Sequence, residues 1–188
     1  PSEAGILALP PLSTSEFLPG AAVDAWVTGV ALVLLGFVCF SISMITTVRN
    51  LRAPGMYLRR MPLFSWAASI VSHTLLVVSP VFLAALAMLM IDRHYGGVFF
   101  DSGEGGKPML YEHLAAIFVS GAVASLLVAA LATISEILST FSRRPGVGHR
   151  STAGSLAALA VLAVLAWMQN MYAGPLAPGF RYIAMLMA

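Results

Sequence analysis

The sequence has few charged residues for its length. Only 10% of its 188 residues are Asp, Glu, Lys or Arg, whereas 59% are hydrophobic and the mean hydropathy is +0.89. A soluble domain has about a quarter charged residues, so this chain has too little polar surface to coat a globule in water. The composition therefore predicts an integral membrane protein in a lipid bilayer. The formal net charge of only +2 excludes a strongly basic surface, and we expect no nucleic-acid partner.

Cysteine is almost absent as well. The single Cys39 lies inside an apolar run, so these residues contain neither an internal disulfide nor a Cys-x-x-Cys metal site. A role as a small packing residue suits this side chain. The first twenty residues, PSEAGILALPPLSTSEFLPG, lack the basic start and the unbroken apolar run of a signal peptide. We therefore expect no cleaved signal within them.

Four apolar runs are long enough to cross a bilayer, which takes about 20 residues. They cover Val23–Val48, Pro62–Ile91, His113–Thr140 and Ala153–Met171, and the fourth is the shortest. The apolar residues after Arg181 are too few to cross. We predict an all-α integral membrane helical bundle with about four transmembrane helices and a short C-terminal apolar segment.

The predicted organisation has three parts. Residues 1–22 form an outer N-terminal segment, and residues 23–171 form the membrane domain with its four helices. Residues 172–188 are either the start of a fifth helix or a segment lying at the membrane interface.

Basic residues are concentrated in two alternate loops. Between the first and second spans, and between the third and fourth, lie seven of the ten basic residues and no acidic residue. They are Arg49, Arg52, Arg59, Arg60, Arg143, Arg144 and Arg150. Because loops rich in Lys and Arg stay on the cytoplasmic or matrix side, we predict that the N-terminus and Asp101 lie on the opposite side.

Small residues in two spans favour contact with further helices. Gly29, Gly36, Ser41 and Ser43 lie in the first span, and the third span is dense in Ala and Ser. Small side chains let helix backbones approach closely in a membrane. We therefore expect the chain to dock against other membrane subunits through its first and third spans.

Ionisable residues at membrane depth are candidates for a functional role. His73 lies about eleven residues inside the second span, but its helical face carries no second His, Cys or carboxylate. A hydrogen bond to a neighbouring helix is therefore favoured over a ligand or proton relay. Glu136 is expected to pair with Arg143 or Arg144, and His113 is expected to be a solvated helix start.

Methionines are frequent near the predicted outer edge. They are Met109, which we place in the outer loop, and Met168, Met171, Met185 and Met187. Thioether clusters can bind Cu(I), although Met more often fills apolar space. Copper carriage is therefore a minor alternative.

Several loop motifs resemble subunit I of the haem-copper cytochrome oxidases. The specific ones are MITTVRNLRAPGMYLRRMPLFSWA and DRHYGGVFFDSGEGGKPMLYEHL. The stretches LPPLSTSEFLPGAAVD, ISEILSTFSRRPGVG and WMQNMY are similar to further pieces of the same subunit, in the same order. The resemblance implies about four of the twelve helices of that subunit. It also implies that the first span runs from outside to inside, which agrees with the charge distribution.

The motif at the oxidase copper site departs from the family pattern. The family follows L-Y-x-H-L with F-W-F-F-G-H-P-E-V-Y, in which the His binds copper, the Glu passes protons and the Tyr is cross-linked to a copper-binding His. Here the run is AAIFVSGAVA. Ser120 therefore stands at the copper His, Gly121 at the Pro, Ala122 at the Glu and Ala124 at the Tyr.

The second copper motif departs in the same way. The paired histidines of W-A-H-H-M-Y correspond to Gln169 and Asn170, which are amides of similar size. Hydroxyl and amide groups bind copper poorly in place of imidazoles. The haem-ligating histidines of the family lie in helices outside these residues. We therefore predict no catalytic, cofactor-binding or metal-binding residues and no cofactor.

Three functions remain open. The preferred one is a non-catalytic membrane subunit, a structural or assembly partner in a respiratory or other bioenergetic complex. It would not be an enzyme by itself. The alternative is a piece of a split oxidase subunit I that takes part in electron transport and oxygen reduction, and a second alternative is a small transporter or copper carrier. The expected location is the bacterial inner membrane or the mitochondrial inner membrane.

Overall fold

The computed structural model describes residues 5–57, 60–143 and 148–171, together with Tyr182 and Met185. Within these residues there are only helices and turns, and no strand. The helices are α1 (Ala21–Asn50), α2 (Leu63–Tyr95), α3 (Pro108–Ser142), α4 (His149–Leu165) and a 3-10 helix (Ala166–Met171). Four helical segments are long and apolar enough to span a membrane, so the predicted all-α bundle with four spans is confirmed. The predicted C-terminal segment lies mostly outside the described residues.

The helices extend a few residues beyond the predicted spans. α3 begins at Pro108, because proline at a first helical position has a suitable φ and needs no hydrogen-bond acceptor. Met109 therefore lies in the first turn of α3, and its placement in a loop was wrong. α2 continues to Tyr95 and ends at Gly96, whose φ of 67° is the left-handed conformation typical of a helix C-terminus.

The fourth span is the least apolar, as expected. Its best window has a mean hydropathy of 1.8, against 2.3 to 2.5 for the other three. The α-helical part ends at Leu165, and the chain continues as the 3-10 helix to Met171. This 3-10 helix contains Gln169 and Asn170, the two amides that the resemblance aligns with copper ligands.

α2 is the central helix of the bundle, since it packs against α1, α3 and α4. In its most apolar window 39% of the residues are buried, but only 11% in that of α1. One core cluster joins α1, α2 and α3 around Val27, Phe82 and Tyr111. A second joins α2, α3 and α4 around Ala67 and Val128. Most of α1 is therefore free to face lipid or other helices.

Successive helices run in opposite directions, so the bundle has two distinct ends. At one end, Arg93 in the last turn of α2 donates to the carbonyl of Gly20, just before α1. At the other, the backbone N–H of Phe64 in the first turn of α2 donates to Glu136 near the end of α3. We call these the outer end and the inner end, after the predicted topology.

The N-terminal segment is packed onto the outer end. Ala8 and Ser13 are completely buried. The hydroxyl of Tyr111, in the first turn of α3, donates to the carbonyl of Leu7 at 3.0 Å. Tyr111 also lies edge-on to Phe100, with ring centroids 5.4 Å apart. Residues 5–18 are therefore part of the bundle and hold the outer ends of α2 and α3.

Candidate functional site

The positions that the resemblance aligns with the first copper motif lie in the middle of α3. The hydroxyl of Ser120 donates to the carbonyl of Ile117, one turn back in the same helix, at 3.0 Å. Serine hydroxyls often bond in this way inside helices. The one polar side chain among positions 120, 121, 122 and 124 is thus already satisfied by its own helix.

At the next position, Gly121, α3 lies close against α2. A Cβ atom at Gly121 would lie 2.7 Å from Cγ1 of Val78, which is shorter than real contacts allow. Ala124, one turn later, is completely buried. A proline at 121 or a tyrosine at 124 would therefore require the two helices to separate. Glycine and alanine here allow the close packing of small residues that is typical of membrane helices.

The second copper motif lies at the end of the fourth span. Gln169 and Asn170 belong to the 3-10 helix, which contacts α3, while their side chains lie outside what the structure describes. The indole of Trp167, in the same 3-10 helix, meets the ring of His113 edge-on with centroids 6.2 Å apart. The two aligned motifs therefore lie on packed neighbouring elements.

A cavity of about 730 Å³ opens beside these elements, and we call it the outer cavity. Its walls come from Leu7 and Leu9, from one face of α3 and from Ala163 to Trp167. Glu112, His113 and Ser120 are the polar residues among its walls. Within the described ranges no group of three or more His, Cys, Asp or Glu side chains is placed to hold a metal ion.

His73 makes the contact to a neighbouring helix that the sequence favoured, so this prediction is confirmed. Its Nε2 lies 3.4 Å from Nη2 of Arg49 on α1, and its Nδ1 lies 2.6 Å from the carbonyl oxygen of Ser69. The side chain is exposed on the bundle surface. It faces the inner end, where Arg49 reaches it.

One further prediction about ionisable residues, that for His113, was wrong, and the predicted pairing of Glu136 is tested only for Arg143. The Glu136 carboxylate accepts from the backbone N–H of Phe64 at 2.9 Å and does not pair with Arg143. Arg144 lies outside the described residues. The unpaired N–H groups at a helix start attract a carboxylate, and those of α2 are next to Glu136. His113 lies against Trp167, and its Nδ1 atom is buried, so it is not a solvated terminus.

The structure describes the side chains of three of the five methionines. Met109 in α3 and Met185 are exposed, and Met168 is half-buried in the 3-10 helix. The side chain of Met171 and all of Met187 lie outside the described residues. The structure therefore adds no support to copper carriage.

A buried arginine at the outer end was not predicted from the sequence. Arg93 donates to the Asp24 carboxylate at 2.6 Å and to three carbonyls, those of Ser13, Leu18 and Gly20, at 2.6 to 3.2 Å. Only 2% of its side chain is exposed. Arg93 lies beyond the predicted second span, which ends at Ile91. Its place in the last turn of a helix, with Asp24 in the first turn of the preceding one, was the available signal.

Asp92 organises the loop that follows α2. Its carboxylate accepts the backbone N–H groups of Phe99 at 3.0 Å and Phe100 at 2.8 Å. Phe100 is thereby held in the core against Tyr111. His94 lies 3.3 Å from the second oxygen of Asp24. The charges near this loop are therefore engaged in holding the outer end together.

Comparison with known proteins agrees with the motifs. The family model described as cytochrome c and quinol oxidase polypeptide I matches residues 1–188. A probable cytochrome c oxidase subunit 1-beta of Nocardia farcinica is 39% identical over 98% of this chain and 32% of its own length. A putative cytochrome c oxidase subunit 1-beta of Streptomyces avermitilis is 36% identical over 100% of this chain and 34% of its own length.

A more distant relative has the same extent. Cytochrome c oxidase subunit 1 of Cereibacter sphaeroides is 34% identical over 89% of this chain and 29% of its own length. The chain thus spans about a third of the length of the curated relatives it matches. With its motifs, its four apolar helices and a match over its whole length, the chain belongs to the cytochrome c and quinol oxidase polypeptide I family.

Proposed function

We propose that this chain is a structural membrane part of a respiratory oxidase-type complex and that it does not itself reduce oxygen. The observation that carries the proposal is the close crossing of α2 and α3 at Gly121. At this crossing, α2 occupies the space that the Pro and Tyr side chains of the oxidase motif would need at positions 121 and 124. The three relatives described above are named as subunits of cytochrome c oxidase and come from bacteria. The bacterial cytoplasmic membrane is therefore the proposed location.

The residues at the aligned copper positions do not fit copper. Position 120 offers a hydroxyl that is bonded within its own helix, and positions 169 and 170 carry amides. Copper sites in proteins are built from imidazole and sulfur ligands. His113 lines the same cavity, but a single imidazole is too few. We derive no reaction at this place.

The structural role follows from the surface that α1 leaves open. A Cβ atom at Gly29 or Gly36 would have no neighbour within 4 Å, although such residues favour close helix contact. By contrast, the small residues Gly121 and Ser125 of α3 are buried inside the bundle. We therefore propose that α1 is the main surface for other membrane helices of the complex, and that the small residues of α3 serve internal packing.

Metal analysis with matched variants tests the loss of catalysis. Copper and haem are measured in the complex purified from its own membranes, for the unmodified protein and for the Ser120→Ala/Gln169→Ala/Asn170→Ala variant. We expect equal contents, because these three positions hold no metal. Replacing only Gln169 and Asn170 by His should add little copper, since the third ligand is still missing.

One outcome of this experiment supports the alternative function. If the unmodified protein binds copper stoichiometrically and the alanine variant loses it, the chain contributes ligands to an active oxidase. The proposal of a non-catalytic part would then be wrong. Equal oxygen consumption by both complexes supports the proposal.

A size series at Gly36 tests the structural role. Gly36→Leu places a bulky side chain on the open face of α1, and Gly36→Ala is the matched small control. We expect Gly36→Leu to release the chain from its complex in native gels, with membrane insertion unchanged. Gly36→Ala should stay associated. If Gly36→Leu also stays associated, α1 is not the docking surface.

A further inference from the structure

A second cavity, of about 640 Å³, lies at the inner end, and we call it the inner pocket. It is formed by the end of α1, the first turns of α2 and the side of α4. Residues that line it include Arg49, Arg52, Trp66, His73, Ala157 and Val161. Among the residues that line it there is no Asp or Glu. The pocket therefore combines two positive charges with apolar walls.

Arg49 is oriented by His73. Nδ1 of His73 lies 2.6 Å from a carbonyl oxygen, which can only accept, so this nitrogen carries the hydrogen. Nε2 is then free to accept from the guanidinium of Arg49 at 3.4 Å. Arg52 in turn donates from Nε to the carbonyl of Arg49 at 3.1 Å. These hydrogen bonds orient both guanidinium groups, and neither partner is a carboxylate that would neutralise their charge.

No carboxylate in the described part of the chain balances these two arginines. The ion pairs found there both involve Asp24, at the opposite end of the bundle. Glu136, the nearby acid of the inner end, is bonded to the start of α2 and does not line the pocket. An arginine fork binds carboxylate or phosphate in a bidentate way, so the pocket favours an anion from outside the chain.

The inner pocket continues into an apolar groove between α2 and α4. This groove has a volume of about 270 Å³ and shares His73, Thr74, Ala160 and Val161 with the pocket. It continues along Val77, Val78, Val164 and Leu165. From Ser69 to Val78 the helix rises about 14 Å. That distance is about half of the 30 Å hydrocarbon thickness of a bilayer, which is the depth of one leaflet.

We propose that the inner pocket and this groove bind one anionic phospholipid. Its phosphate lies between Arg49 and Arg52, and one acyl chain follows the groove along Val77 and Val161. Basic pockets between helices on the cytoplasmic side of membranes bind anionic headgroups. A free phosphate would use only the charged end, whereas a lipid uses both the charge and the apolar groove. This inference does not depend on the proposed loss of catalysis.

Photo-crosslinking tests the proposal. The purified protein is reconstituted in phosphatidylcholine vesicles that contain phosphatidylglycerol with a photoactivatable group in its acyl chain. We expect labelled peptides from residues 69–78 of α2 and 157–165 of α4. The same experiment with a photoactivatable phosphatidylcholine should label these peptides at least tenfold less.

Charge variants test the headgroup site. Each arginine near an anionic surface contributes about fivefold in affinity, so Arg49→Gln/Arg52→Gln should lower labelling at least tenfold. Arg150→Gln is the matched control, because Arg150 is exposed at the same end and does not line the pocket. It should leave labelling unchanged. Equal labelling by both lipids, or no effect of the double variant, would overturn the proposal.

A groove variant tests the acyl chain. Val77 is 64% exposed and lines the groove, so Val77→Trp should fill it and lower labelling of both peptides. Leu126→Trp on α3 is the control, since Leu126 is 74% exposed and lines neither site. Excess inorganic phosphate should not compete with the lipid. Full competition by phosphate together with no effect of Val77→Trp would identify a free-anion site and contradict the lipid.

Discussion

The two ends of the bundle use arginine in opposite ways. At the outer end, Arg93 is almost completely buried and bonded to Asp24 and to three backbone carbonyls. At the inner end, Arg49 and Arg52 are exposed and have no carboxylate partner within the described part of the chain. The outer charge is therefore paired within the chain, whereas the inner charges are accessible to molecules outside it.

This difference follows from the cost of burying a charge. A buried guanidinium must be paired and hydrogen-bonded, because an uncompensated charge away from water costs several kcal/mol. The N-terminal segment supplies the missing acceptors through the carbonyls of Ser13 and Leu18. At the inner end, water and anionic headgroups can meet the charges of Arg49 and Arg52. The charge at the outer end therefore stabilises the fold, whereas the charges at the inner end are available to water and lipid headgroups.

The largest contrast between the two ends is expected in chemical labelling. With Cys39 replaced by Ser, single cysteines are placed at position 52 or at position 101. Because basic loops stay on the cytoplasmic side, a membrane-impermeant thiol reagent should reach these positions from opposite sides. Labelling of intact and inverted vesicles measures this. If both positions react from the same side, the predicted topology is wrong.

The next largest effect should come from the buried arginine. Arg93→Gln removes the charge that pairs with Asp24, and the two N–H donors of one amide group cannot serve all four acceptors of the guanidinium. We expect a loss of about 3 kcal/mol in the free energy of unfolding, the cost of breaking a buried ion pair. Unfolding by SDS in mixed micelles measures it. Arg150→Gln at the inner end is the control and should change stability by less than about 0.5 kcal/mol. Equal effects of the two variants would refute the contrast between the ends.

A smaller loss in the free energy of unfolding is expected for a variant in the loop after α2, at the same end. Asp92→Ala removes the acceptor of the N–H groups of Phe99 and Phe100. We expect a loss of about 2 kcal/mol, because bonds to a charged group are stronger than neutral ones. Glu104→Ala is the matched control, since Glu104 is exposed in the same loop. If both variants unfold at the same SDS concentration, Asp92 does not organise the loop.

The smallest expected effect lies at the inner end. Glu136→Ala removes the carboxylate that accepts from Phe64 N–H at the start of α2, and should cost about 1 kcal/mol. Glu136→Gln keeps an acceptor oxygen and should cost less. The same SDS unfolding measures both. A loss as large as that of Arg93→Gln would show that the inner end is also held by a buried charge.

Hydropathy was sufficient to predict the four helices, because about twenty apolar residues can satisfy their backbone in lipid only as a helix. The helix ends were less predictable. Pro108 starts α3 five residues before the predicted span, within a sequence that is not apolar. Helix ends depend on capping geometry and on the neighbouring loop, which hydropathy does not report.

The candidate site was predictable only as far as the motifs reach. The resemblance places Ser120, Gln169 and Asn170 at the copper positions, and the match over residues 1–188 shows the family. That Gly121 lies directly against Val78 is a property of how two helices cross. No periodicity within α3 carries this information, since the same small residues could equally have faced another subunit.

The sequence by itself determined the membrane environment, the four spans, the family and the uneven distribution of basic residues. Each of these depends on local composition or on a contiguous motif. Only the tertiary structure decided the partners of Arg93, Glu136 and His73. Arg93 and Asp24 are 69 residues apart, and Phe64 and Glu136 are 72 apart. Such contacts exist only after helices pack in a particular order and rotation, and that arrangement is set by side-chain shape along the entire length of each helix.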